Sequence, residues 1–432
     1  MIESVGEIRD PVHGYIFFTN IEREIIDTKP MQRLRRIKQL SGAYLTYPGA
    51  EHSRFSHSLG VMHLAGILGQ HLEKLGYIDE DDVQKIRIAG LLHDVGHGPF
   101  SHMYEEILNK YRDLTHEDLT QWLIKESELK DVLNKYGYSP AEMSKRAVGR
   151  SDISEKIFLN QVIASQFDVD IMDYLVRDSH FAGVEYGNID VIRLINALDV
   201  IDNLLAIDAT TIYALEAFVI ARYEMFKAVY FHRTVRAAEV MIIRAMDYAN
   251  ESVGLTSFKT PEEYLELDDS SVLLKLLSLK GVPNKRLGIA YDLAEMYRNR
   301  RLFKCVHETI VHHRSEFFTN VMSRDEVRNQ IAKEISDKAE VDQDHIIIDV
   351  PTVTSVPYYP LQGHPSDMPV YQKNPDGSKE IRRISEYSQL INTLIGYIDV
   401  IRVYTAPQFR DRIREATDQV FNKQPYSTKI TM

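Results

Sequence analysis

The chain has 432 residues, of which 26% are charged, and a formal net charge of −12. That acidic balance argues against non-specific nucleic-acid binding, which needs a basic face, so an anionic substrate must be attracted by cations placed locally. The single cysteine, Cys305, excludes an internal disulfide framework and fits a reducing compartment. It reads as a packed small residue rather than a nucleophile. The N-terminus lacks a signal pattern, and the apolar run 390–406 is broken by Asn392, Asp399 and Arg402. A cytoplasmic protein without membrane attachment is expected.

Taken in order, Asp10-Pro11-Val12-His13-Gly14 reads as a turn and residues 14–18 as a short strand. Met31, Leu34 and Ile37 mark an amphipathic helix to about residue 40, with Arg33, Arg35, Arg36 and Lys38 on its basic face. A loop rich in Pro, Gly, His and Ser covers 44–55, and a helix 58–75. The acidic run 79–82 caps the next helix. In that helix Val83, Ile86, Ala89 and Leu92 recur at helical spacing, widened by Leu91 and Val95. Gly96, Gly98 and Pro99 stop it. Helical periodicity dominates from 102 to 318, most clearly at 103–108, 117–133, 162–177, 191–205 and 212–250. Composition shifts after about residue 320. There, a charged helix (325–342), a strand (345–351), a loop region (355–377), a strand (400–404) and a closing helix (408–421) are expected. No fixed-period repeat appears. The expectation is a mainly α protein, with a helical core over 1–320 and a smaller α+β lobe over 321–432.

The helix ending near residue 95 delivers His93 and Asp94 into the interior, and such a pair at a buried helix end is costly unless something compensates it. His57 stands near the start of the preceding helix, and Asp170 lies in a third helical run. Two His and two Asp from three helices offer a divalent ion mixed nitrogen and oxygen ligands, leaving positions for water and phosphate. Mg, Mn, Fe, Ni and Zn all suit such ligands.

The run His93-Asp94-Val95-Gly96-His97-Gly98-Pro99-Phe100-Ser101-His102, with His57 following Arg54-Phe55, resembles the HD phosphohydrolase superfamily. More narrowly, from Asp10-Pro11-Val12-His13-Gly14 through Tyr47-Pro48-Gly49-Ala50 to Lys304-Cys305-Val306, the chain resembles deoxynucleoside triphosphate triphosphohydrolases (dNTPases) of the SAM-and-HD-domain type. That resemblance implies an HD-domain helical core and a metal held by His57, His93, Asp94 and Asp170. It also implies that His97 and His116 contact the α-phosphate. His102 becomes the general acid that protonates the departing 5′ oxygen, a task that suits imidazole near neutral pH. Glu105 stands where the family places an Asp, so an acid–His dyad with a longer arm is expected.

The same resemblance assigns Arg54, Arg222 and Tyr174 to the triphosphate and sugar. Gln39 and Leu40 line the sugar, Asp178 accepts from the 3′ hydroxyl, and Tyr230 crowds out a 2′ hydroxyl. Ile171 replaces a basic residue and Phe226 a histidine, departures that bear on substrate range. Asp27, Gln32 and Arg35, with Arg300 and Lys304, match a GTP or dGTP effector pocket between subunits of a homotetramer, although Gly6 replaces an expected Lys. The expected reaction converts a dNTP and water into a deoxynucleoside and triphosphate. The alternatives are an HD phosphohydrolase for another nucleotide or phosphoester, and a non-catalytic nucleotide sensor.

Overall fold

Strands β1 (Gly6–Asp10) and β2 (Gly14–Phe18) pair antiparallel across the expected turn, with Asp10 opposite Gly14. The computed structural model describes residues 3–151, 156–313, 321, 324–354, 369–394 and 397–421. Asp10 closes the turn by accepting from the backbone N–H groups of Val12 and His13 at 2.9 and 2.8 Å. Helices α1 (Asn20–Ile26) and α2 (Lys29–Arg33) follow; the basic helix expected to reach residue 40 instead tightens into a 3₁₀ turn at Leu34–Arg36.

The core helices are α3 (Arg54–Lys74), α4 (Glu80–Leu92), α5 (His102–Arg112), α6 (His116–Glu126), α7 (Glu128–Lys135), α8 (Pro140–Ala147), α9 (Phe158–Ile163) and α10 (Val169–Ala182). Their starts are chemically marked. Asp79 accepts from the backbone of Asp82 to cap α4, Thr115 and Asp118 form a capping box on α6, and Asp168 caps α10 through Ile171 N. The last cap explains why the periodic run 162–177 is two helices rather than one.

Residues 191–205 are not one helix. After α11 (Val191–Asn196) the chain forms the hairpin β3 (Leu198–Ile201) and β4 (Leu204–Asp208), turning at Asp202 and Asn203, both at positive φ. A short apolar run does not by its period separate helix from strand, and Asp-Asn tolerates the left-handed turn that settles it. The stretch 212–250 is likewise interrupted, with α12 (Ile212–Met225), a π-helical turn at Phe226–Tyr230 and α13 (Arg233–Val253). Then come α14 (Pro261–Leu265), α15 (Asp269–Leu277) and α16 (Lys285–Arg298). Strand β5 (Lys304–His313) occupies sequence expected to be helical.

The chain forms two compact units, each discontinuous: Met1–Met225, Gly254–Val272 and Val356–Thr393 in the first; Phe226–Val253, Leu273–Ser355 and Leu394–Met432 in the second. They interleave along the chain instead of meeting at residues 320 and 321. In the second unit β10 (Tyr397–Thr405) pairs antiparallel with β5 on one side and with β6 (Ile346–Asp349) and β7 (Thr352–Thr354) on the other. A lobe cut at 321 would sever that ladder. Helices Asp325–Ala339 and Arg410–Val420 bury Ile335 and Ile413 against Ile346, Ile348 and Val403 of this sheet. In the first unit β4 pairs parallel with β8 (Pro369–Lys373), which pairs antiparallel with β9 (Lys379–Arg383). Part of the loop expected at 355–377 is therefore strand; residues 355–368 lie outside the described residues.

The interior of the first unit is apolar helix packing, with Ile25, Met31, Leu68, Leu91, Val95 and Leu123 fully buried. Gly96 shows how tightly it closes. A Cβ there would sit 2.2 Å from Thr120 N and 2.3 Å from His116 O at the start of α6. Gly96→Ala is expected to lower stability by about 1–3 kcal/mol by overpacking, read as a drop in thermal midpoint; an unchanged midpoint would show that α6 yields freely.

Candidate active site

Three helix ends meet in the first unit. Arg54 and His57 occupy the first turn of α3, His93 caps the C-terminus of α4 with Asp94 next to it, and Asp170 lies in the first turn of α10. One ligand atom from each of His57, His93 and Asp94 falls within 4.8 Å of the others. Asp170 Oδ1 lies 2.9 Å from His57 Nε2 and 3.7 Å from His93 Nε2. The four expected ligands are thus brought together.

The donor set fits a cation. His93 Nδ1–H donates to Gly90 O at 2.8 Å, leaving Nε2 buried without a hydrogen bond and 3.3 Å from Asp94 Oδ1. An orphaned imidazole nitrogen facing carboxylates is what a divalent ion satisfies. Burial disfavours charge on His57, yet Asp170 and Asp173 outweigh it and push the imidazole up to about 10. Burial would raise Asp94, but Arg54, His93 and His97 hold it well below the usual carboxylate range. The pocket demands positive charge.

Next to this cluster stand three more imidazoles. His97 Nε2 is 3.3 Å from Asp94 Oδ1, and its ring stacks on His116 with centroids 4.0 Å apart. The His102 ring meets His97 edge-on at 5.0 Å. Glu105 organises the group. Its Oε1 accepts from His116 Nδ1 at 2.6 Å and from the His116 backbone N–H at 3.1 Å, while Oε2 accepts from His102 Nδ1 at 3.1 Å. The longer arm of glutamate therefore reaches two histidines. Burial would raise Glu105, but both imidazoles hold it far below its ordinary value. Burial opposes charge on His116, and Glu105 overcomes it, raising His116 above the usual histidine range. Burial and the neighbouring Arg54 and His116 cations keep His97 well below that range, hence neutral.

The turn delivering His102 is strained. Phe100 and Ser101 have φ of 58° and 56°, conformations that cost non-glycine residues about 1–3 kcal/mol each. Tertiary bonds hold them there. Asp269 Oδ1 accepts from Phe100 N at 2.6 Å, Ser41 Oγ donates to Phe100 O at 2.7 Å, and Ser101 Oγ donates to Lys38 O at 2.8 Å. Behind the turn Arg33 Nη1 donates to His97 O at 2.8 Å and Tyr264 OH to Gly96 O at 2.7 Å.

The remaining expected residues are placed as follows. Arg54 bonds Asp94 Oδ2 at 2.6 Å and Ser101 Oγ at 2.7 Å. Tyr174 hydrogen-bonds Arg222. Asp178 Oδ1 pairs with His52 Nε2 at 2.7 Å. Gln39 Oε1 is a buried atom without a hydrogen-bond partner, and Leu40 is half-buried. Ile171, half-buried, follows Asp170 directly. Tyr230 and Phe226 belong to the second unit, their rings 4.9 Å apart in the π turn. Of the effector residues, Asp27 is exposed, Arg35 Nε donates to Gln32 Oε1 at 2.9 Å, and the Arg35 guanidinium lies 3.6 Å over Phe55. Arg300 and Lys304 are exposed in the second unit. There too, burial pushes the Cys305 thiol up to about 11, the state of a packed thiol.

Sequence reasoning missed Asp173, Arg177 and the roles of Asp10, His13, Arg33 and Tyr264. A signal existed for the first pair, since Asp173 and Arg177 stand four apart, on one helix face with Asp170.

The sequence matches the HD domain family over residues 54–178 and the HD associated region family over residues 189–430. It is 31% identical to the deoxynucleoside triphosphate triphosphohydrolase SAMHD1 of Gallus gallus, over 92% of this chain and 72% of that one. Across the curated relatives it matches, the chain spans 55% to 72% of their lengths. A hypothetical protein of Aquifex aeolicus superposes with a TM-score of 0.75 at 30% identity, over 95% of this chain and 99% of that one. A phosphohydrolase of Bacteroides thetaiotaomicron does so with 0.71 at 27%, over 93% and 99%.

Proposed function

This chain belongs to the HD-domain phosphohydrolase family, and we propose that it is a metal-dependent dNTPase, converting a dNTP and water into a deoxynucleoside and inorganic triphosphate. The observation that carries this reading is the unsatisfied His93 Nε2 facing the Asp94 and Asp170 carboxylates, with the His97, His102 and His116 cluster alongside. The activity named for the relatives at 31–33% identity supports it.

His57, His93, Asp94 and Asp170 hold the ion. When bound, a divalent ion supplies Lewis-acid chemistry, neutralising charge on a phosphoryl oxygen and acidifying water. His97 and His116 grip the α-phosphate beside it. A water oxygen bonds to the α-phosphorus and releases its proton to solvent while the bond to O5′ breaks. His102, anchored through Nδ1 on Glu105, gives the proton on its other nitrogen to O5′. Arg54, Tyr174 and Arg222 bind triphosphate and sugar, and Gln39, Leu40 and Asp178 the deoxyribose. Asp27, Gln32, Arg35, Arg300 and Lys304 take a guanine nucleotide between subunits of a homotetramer. Cytoplasmic location fits this role, and among the described residues no helix is long and apolar enough to cross a membrane.

Ile171 supports a second reading, a phosphohydrolase for a different nucleotide or phosphoester, because it removes a cation from beside Asp170. One assay decides. Metal-loaded protein given each dNTP and NTP, with and without GTP, is expected to release triphosphate from dNTPs only, faster with GTP. Pyrophosphate or orthophosphate as product would overturn attack at the α-phosphorus with O5′ leaving, cleavage of NTPs would favour the second reading, and a flat GTP response would remove the effector pocket.

A further inference from the structure

The motif Asp10-Pro11-Val12-His13-Gly14 has no part in the reaction as described, yet it is wired to a metal ligand. Asp173, wholly buried, accepts from His57 Nδ1 at 2.8 Å on one oxygen and pairs with His13 Nε2 at 2.6 Å on the other. Arg177 braces both oxygens, at 2.7 Å through Nε and 3.0 Å through Nη2. Its Nη1 reaches back to Asp10 Oδ2 at 2.8 Å, and Asp10 Oδ1 accepts the backbone N–H of His13. The ring closes from hairpin to helix and back. Asp10, Asp173 and Arg177 are each at most 4% exposed.

Helix α3 is built to admit this ring. A Cβ at Gly60, one turn after His57, would lie 1.9 Å from Asp173 Oδ1 and 2.4 Å from Arg177 Nη2. Only glycine lets the carboxylate press against the helix that carries the ligand.

We propose that Asp173 and His13 are positioning residues for the metal centre, so that the N-terminal hairpin forms its outer shell. The hydrogen bond to Asp173 holds the proton on His57 Nδ1 and turns Nε2 toward Asp170, 2.9 Å away, where it would take an ion in place of a proton. A carboxylate that orients a ligating imidazole in this way raises metal affinity about 10–100-fold. His13 and Arg177 hold that carboxylate in place, and Asp10 ties Arg177 and the His13 backbone to the hairpin. The inference rests on the metal reading of the site and not on the identity of the substrate.

The test is the dissociation constant of Mn²⁺ for the metal-stripped full chain, from free Mn²⁺ measured by electron paramagnetic resonance, beside the unfolding midpoint in chelator. Asp173→Asn and His13→Ala are each expected to weaken binding by about 10–100-fold. Because Asp173→Asn risks misfolding, His13→Ala, with one partner removed at the hairpin, is the deciding variant. Glu22→Gln is the control. It breaks the buried Glu22–Arg87 pair, joined to the same hairpin through Phe17 O but not to Asp173, and should lower the midpoint and leave Mn²⁺ affinity alone. An unchanged dissociation constant in folded His13→Ala overturns the inference, as does equal weakening in Glu22→Gln. If the unsubstituted chain binds no Mn²⁺, the metal centre falls, and this inference with it.

Discussion

Replacement of His93 by alanine is expected to remove bound metal and hydrolysis together, by more than the ~10–100-fold that follows loss of an outer-shell partner. His93 offers the only ligand nitrogen among the four that has no hydrogen bond to give up. Without it the carboxylates of Asp94 and Asp170 remain close with one neutral donor fewer, and the coordination shell is incomplete. Metal content per chain and turnover should fall in parallel, while the unfolding midpoint in chelator stays near that of the unsubstituted chain. Full turnover in His93→Ala would show that the ion, if any, lies elsewhere.

His102→Ala should behave differently. Turnover is expected to fall by about 10²–10⁴-fold, the range for loss of a positioned general acid, with metal content unchanged. A phosphoester whose leaving alcohol is acidic enough to depart unprotonated should lose far less. If natural and acidic leaving groups suffer equally, His102 does not act as the acid. Glu105→Gln adds a pH signature. The Glu105 carboxylate keeps the proton on His116 above the usual histidine range. Its neutral amide lets His116 fall back, so the alkaline limb of the pH–rate profile moves to lower pH. An unmoved limb would mean that the charge on His116 does not matter to the rate.

Much of this site was legible because its residues are close in sequence or spaced by helical turns. His93, Asp94, His97 and His102 lie in one run, and the glycines and proline among them announce a helix stop. The supporting groups were not legible. His57 and Asp173 are 116 positions apart, and His13 and Asp173 are 160 apart, so nothing local announces that they share a proton. Strand β5 was misread for a related reason. Its pairing with β10 spans some ninety positions, and a run that mixes polar and apolar residues carries no label for a partner so distant. Asp202-Asn203 did mark a turn, but a turn inside an apolar stretch became decisive only when β4 found β8.

The sequence by itself determined the chemistry available: a histidine–aspartate metal set, an acid–imidazole cluster beside it, and a mainly helical frame to carry them. These follow from residue type and short-range spacing, which hydrogen bonding and helix periodicity act upon directly. Only the tertiary structure decided how those groups are held. It made Glu105 serve two histidines, bent Phe100 and Ser101 into a strained turn by bonds from Ser41, Lys38 and Asp269, and joined the N-terminal hairpin to His57 through Asp173. Each of these depends on close approach between distant segments, which burial and packing set and which no local pattern encodes.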